Sequence, residues 1–223
     1  MKFWKRQLKK SNRGLILALI LIIGVTIYTL IDNNSFKKEK PEIEELISSY
    51  IKEMGDYAVT PEEFTKTTEI SDKEFKPYQD EYNKFINNYW VYKKRNPNSL
   101  YWECLMTDAK DMYSDLMNNT KENHVISAVY DARDIKIRKA GPNCATATFK
   151  VYIVAETVGD PNIITPMYPE SLGWYSDEGD LTKKNKLRLE GEYEATLERT
   201  ADGWRFYDSS GYITSVEEID IGE

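Results

Sequence analysis

Seventeen consecutive uncharged residues, Leu15 through Ile31, follow a fourteen-residue head that holds six bases and no acid. No other feature limits the chain as much. At 1.5 Å per residue a helix of that length reaches about 26 Å, near the short end of what crosses a bilayer. The run has no polar face to turn toward water, which argues against a helix buried on one side of a soluble domain. A cleaved secretory leader needs small residues at its end. Here the run ends in Tyr28-Thr29-Leu30-Ile31-Asp32-Asn33-Asn34, with no Ala-x-Ala pattern and no lipobox cysteine. The expectation is an uncleaved, single-pass anchor over 15–31, in contact with membrane lipid. By the positive-inside rule the basic head, 1–14, is cytoplasmic and the body extracytoplasmic, with Trp4 and Tyr28 at the two interfaces.

The charge balance supports that division. Six of the 30 bases lie in the head, leaving 24 against 37 acids in the remainder, a balance of −13. Neutralising phosphates takes Lys and Arg, so an acidic body is no nucleic-acid binder, and the basic head is assigned to anionic lipid. One histidine and two cysteines leave no material for a His/Cys zinc cluster. Neither a metal nor a cofactor is expected.

Residues 32–40 are polar, with three lysines, and are read as a linker. Pro41 then suits the first turn of a helix. Ile43, Leu46, Ile47, Tyr50, Ile51 and Met54 follow at helical spacing, and Gly55 marks a stop. A second helix is predicted after Ser71-Asp72-Lys73-Glu74, which has the form of a capping box. Its stripe is Phe75, Tyr78, Tyr82, Phe85, Ile86, Tyr89 and Trp90, with Pro77 inside it as a start or kink. A third helical stretch is read over 99–118.

After His124 the period becomes two. Ala145, Ala147, Phe149, Val151, Ile153 and Ala155 alternate with polar or exposed positions. Leu187, Leu189, Gly191, Tyr193, Ala195 and Leu197 alternate with Arg188, Glu190, Glu192, Glu194, Thr196 and Glu198. Ala201-Asp202-Gly203 reads as a hairpin turn before a last strand. The fold class is α+β: helices covering one face of an antiparallel sheet whose other face is wet. The globular domain spans 41–223.

Between the second and third strands lie residues 159–185, long for a connection inside a compact domain. They carry Ile163, Ile164, Met167, Tyr168, Leu172, Trp174 and Tyr175. Two readings stand, a segment that completes the core and an interaction loop. Cys104 and Cys144 fall outside the membrane, where a disulfide can form. A bridge across a loop of about 40 residues would gain roughly 4 kcal/mol. Two free thiols are the other reading.

Helices followed by an antiparallel meander, closing on the hairpin from Gly191 through Ala201-Asp202-Gly203 to Phe206, resemble the nuclear transport factor 2-like fold. That resemblance implies a cone of curved sheet wrapped by helices over 41–215. The layout as a whole, a basic head, one span and such a domain outside, is similar to the bitopic scaffold subunit of type IV secretion and conjugation machines. It implies envelope proteins as partners and self-association into a homo-oligomer.

Catalytic signals are sparse. His124 could pair with Asp131 or Asp134, and reads better as a strand-edge histidine. Asp177-Glu178-Gly179-Asp180 lacks the alternating ligands of a calcium loop. Asn118-Asn119-Thr120 matches a glycosylation sequon. No catalytic residue is assigned, and the expectation is a membrane-anchored, non-catalytic scaffold. An extracytoplasmic ligand-binding domain using the aromatic cone is the alternative.

Overall fold

The protein is described by a computed structural model, over residues 13–91, 113–166, 169–171 and 184–219. The chain divides into two compact units, 1–41 and 42–223. Helix α1 (Arg13–Ala58) contributes residues to both.

In the first unit α1 is apolar on every side from Leu15 to Ile31. Twelve large apolar residues between Leu15 and Ile31 are each half or more exposed. One 18-residue window has a mean hydropathy of 2.7 and is not buried at all. Thr26 and Thr29 donate their hydroxyls to the carbonyls four residues back, Ile22 and Val25, both at 2.8 Å. Their polar atoms are therefore satisfied within the helix, as an apolar surrounding requires. This is a helix long and apolar enough to cross a membrane.

The sequence reading of 32–40 as a linker differs from the structure, in which these residues are helical and Pro41 lies inside α1. The reason is local. Residues 36–40 (Phe-Lys-Lys-Glu-Lys) include good helix formers and no breaker. Pro41 removes one backbone donor without ending the helix. Gly55 does not end it either. A Cβ there would stand 3.3 Å from Tyr130 Cδ1 and 3.4 Å from the Ala128 carbonyl oxygen. The missing side chain lets α1 lie close against the first strand.

In the second unit α1 buries Ile43, Ile47, Tyr50, Ile51, Met54 and Ala58. Helix α2 (Asp72–Tyr89) begins with the expected capping box. The Glu74 amide donates to Ser71 Oγ at 3.4 Å, and the Ser71 amide donates to Glu74 Oε2 at 3.0 Å. Pro77 is accommodated inside the helix. The predicted third helical stretch is described only at its end, where a 3-10 turn, Asp115–Asn118, buries Leu116.

The sheet holds β1 (His124–Gly141), β2 (Cys144–Val158), β5 (Lys184–Thr200) and β6 (Gly203–Glu218), antiparallel in the order β1-β2-β5-β6. Between β2 and β5 a separate pair forms from β3 (Asn162–Ile164) and β4 (Pro169–Ser171). Phe149 opposes Tyr193, Ile153 opposes Leu189, and all four side chains are buried. The other face carries the charges. Tyr50 sits where the layers meet, 4.8 Å from the Phe206 ring and 5.5 Å from that of Phe85. The end of α2 is tied to β6, the Val91 amide donating to the Phe206 carbonyl at 2.8 Å. Helices packed on one face of a four-stranded antiparallel sheet are the α+β arrangement that the resemblance to the nuclear transport factor 2-like fold implies.

Candidate functional site

Burial decides what the interior can do. Tyr50, Tyr82 and Tyr130 are almost wholly buried. Desolvation pushes all three phenols well above their ordinary value, so they stay neutral. Tyr130 donates to the Ile164 carbonyl at 2.7 Å, which ties β3 to β1. Tyr82 stacks on Tyr113 at 4.3 Å, and its hydroxyl has no hydrogen-bond partner among the described residues. The described buried set includes no carboxylate, histidine, lysine or arginine. No cluster of metal-ligating side chains occurs among the described residues.

The charged chemistry lies on the outer face. Antiparallel pairing sets Lys150 beside Glu192 and Glu156 beside Lys186. These contacts measure 3.6 Å and 3.7 Å. A groove of about 520 Å³ crosses the four strands at one level. Asp134 and Lys136 line it from β1, Lys150 from β2, Glu192 and Glu194 from β5, and Tyr212 from β6. Asp134 lies in a bulge of β1 with φ at 54°, in the left-handed region that non-glycine residues seldom adopt. Glycines 191 and 211 stand at the same level. A Cβ on either would meet the buried Tyr193 ring, at 2.6 Å and 2.2 Å.

A second groove, of about 470 Å³, lies beside β1. Asp131 and Arg133 line it, joined at 2.6 Å, and the Arg133 guanidinium stands 4.5 Å from the Tyr152 ring.

The residues singled out from the sequence scatter. Ile163 and Ile164 are buried in β3, the placement of a segment that completes the core. Met167, Tyr168, Leu172, Trp174, Tyr175 and Cys104 lie outside the described residues. Cys144 is half-buried as the first residue of β2. His124 opens β1, its Nδ1 3.1 Å from the Thr120 carbonyl oxygen. Asp131 and Asp134 reach different grooves, so the two carboxylates and the histidine form no common site. In the sequon Asn118 is exposed and Thr120 buried. What the sequence reading missed is the groove. Its signal was the pair of strand-interior glycines, 191 and 211, which mark a close approach or a bend.

No family model matches the chain, and no curated protein matches it. Three solved structures are similar at low identity. A hexachlorocyclohexane dehydrochlorinase, LinA type 2, shares 8% identity with a TM-score of 0.45, over 86% of this chain and 93% of that one. A putative scytalone dehydratase from Novosphingobium aromaticivorans shares 12% at 0.43, over 86% and 93%. A protein from Kribbella flavida shares 14% at 0.41, over 81% and 94%. None of the three supports the likeness to a type IV secretion subunit. Two of them bear the names of enzymes. The expectation that this chain is not an enzyme is therefore withdrawn, since its structural neighbours give no ground for excluding catalysis.

Proposed function

We propose that the chain is a membrane-anchored interaction module, with α1 as its anchor and its nuclear transport factor 2-like domain outside the cytoplasm, binding proteins of an envelope complex. The observation that carries this reading is the exposure of the apolar stretch. Twelve large side chains on all sides of one helix face outward at 50% exposure or more. Burying that area in lipid is worth roughly 25 cal/mol per Å². The basic head supports a cytoplasmic N-terminus. The filled aromatic interior and the charged outer face support recognition at the surface.

The test is crosslinking of the full chain in its native membrane, followed by recovery and identification of partners. Secretion, conjugation or cell-wall proteins in fixed stoichiometry are expected. Recovery of the chain without any envelope protein refutes the reading. The Tyr82 hydroxyl, without a hydrogen-bond partner among the described residues, favours a second reading, a ligand reaching the aromatic interior. A screen of small polar aromatics by thermal shift tests it, Tyr82→Phe abolishing the shift.

A further inference from the structure

The groove across the outer sheet face is built from two rows of side chains, which the strand registers define. Lys136, Thr148, Glu194 and Ser210 stand side by side across the four strands, and Lys150, Glu192 and Tyr212 form the next row. Thr148 and Ser210 are short between longer neighbours, and the face sinks there. On β1 one extra residue separates the rows, since Arg133 opposes Lys150 while Lys136 opposes Thr148. Asp134 lies in that bulge with its φ at 54°, and it lines the groove. Bulges re-aim side chains in this way beside binding sites. Tyr212, a large aromatic ring, lines the same groove at 62% exposure.

These groups set what a ligand must offer. Asp134, Lys136 and Glu194 make no hydrogen bond or ion pair among the described residues. Lys150 and Glu192 stand 3.6 Å apart, too far for a hydrogen bond, so both keep capacity for a further partner. Three carboxylates against two ammonium groups leave the groove nearly neutral. A polyanion laid in it would cover the carboxylates unpaired, and a polycation the lysines, each at a desolvation cost. The fitting ligand gives donors to the carboxylates, acceptors to the lysines and an apolar face to the Tyr212 ring. A sugar ring does all three. Its hydroxyls both donate and accept, and its two faces carry C–H bonds. The volume of about 520 Å³ falls in the range of ligand sites. Four strands at about 4.8 Å make the groove about 14 Å long, which suits a short oligomer better than a single ring.

We infer that this groove binds a short neutral oligosaccharide, with one ring stacked on Tyr212 and hydroxyls held by Asp134, Glu194 and Lys136. The inference goes beyond the interaction-module reading and does not depend on envelope proteins. Its test is calorimetric titration of the full chain, in a detergent without a sugar headgroup, with neutral tetrasaccharides of glucose, galactose, mannose and N-acetylglucosamine. At least one should bind, with an affinity that holds between about 0.1 M and 1 M salt, because an uncharged ligand is not screened. Tyr212→Ala should weaken binding about tenfold, while Tyr212→Phe, which keeps the ring, should retain most of it. Asp134→Asn and Glu194→Gln, which keep size and lose charge, should each weaken it several-fold. All four positions are exposed, so an unchanged Tm should accompany each loss and exclude misfolding. Failure of every tetrasaccharide to bind overturns the inference, as does binding that Tyr212→Ala leaves intact. Binding of a basic or acidic peptide where no sugar binds overturns it too. A chain that binds sugar and recovers no envelope protein would refute the module reading and keep this one.

Discussion

Gly191 and Gly211 flank the same buried ring but fail for different reasons when given a side chain. At Gly191 a Cβ would sit 2.6 Å from Tyr193 Cε2 and 3.1 Å from its hydroxyl, atoms at the far end of the ring. At Gly211 it would sit 2.2 Å from Cδ1, 2.7 Å from Cγ and 2.5 Å from the Glu192 carbonyl oxygen. Tyr193 is 4% exposed and stacks 6.0 Å from Phe149, so it has little room to withdraw. Each glycine-to-alanine change should cost about 1–3 kcal/mol as overpacking. For a domain of this size that lowers Tm by roughly 3–10 °C. Tyr193→Leu separates the two. Leucine keeps atoms near the ring's Cγ and Cδ1 and removes those at Cε2 and the hydroxyl. In that background Gly191→Ala should lose most of its cost, only the 3.1 Å approach to the Tyr212 carbonyl oxygen remaining, while Gly211→Ala keeps its full cost. Thermal and urea unfolding of the three single and two double variants, followed by tryptophan fluorescence, gives both couplings. Equal coupling at the two glycines would refute the assignment of the Gly191 clash to the ring edge.

Ser71→Ala removes the cap of α2 and should cost about 1 kcal/mol, read as a Tm lower by roughly 2–4 °C. Alkaline titration should separate the tyrosines. Tyr50, Tyr82 and Tyr130 are raised by burial, so the unfolded chain gives up these protons first. Their stabilisation is whole below about pH 10 and is lost as the pH rises above it, and phenolate absorbance should show these three ionising only as the fold opens. Leu21→Lys with Ile23→Lys places two charges mid-span, each costing about 2.5–3.5 kcal/mol of insertion. The doubly substituted chain should leave the carbonate-resistant membrane fraction, and its retention there would remove the anchor from the argument.

Where one residue type dictates one local answer, the fold was legible in the sequence. Ser71 and Glu74 announced the start of α2, and the alternation from Leu187 to Leu197 announced a strand with one dry face. Pro41 and Gly55 misled because each has two uses. A proline suits a first turn but can sit inside a helix. A glycine can end a helix or let it approach a strand, and only the position of Tyr130 reveals the second. The site was harder to read for the same reason. Glu190, Glu192 and Glu194 appear in the sequence as a solvated acidic face. Their meaning changes once the register sets Lys150 beside Glu192 and repeats the reversal at Glu156 and Lys186. Register is a property of two strands, and β2 and β5 are separated by the 159–183 segment.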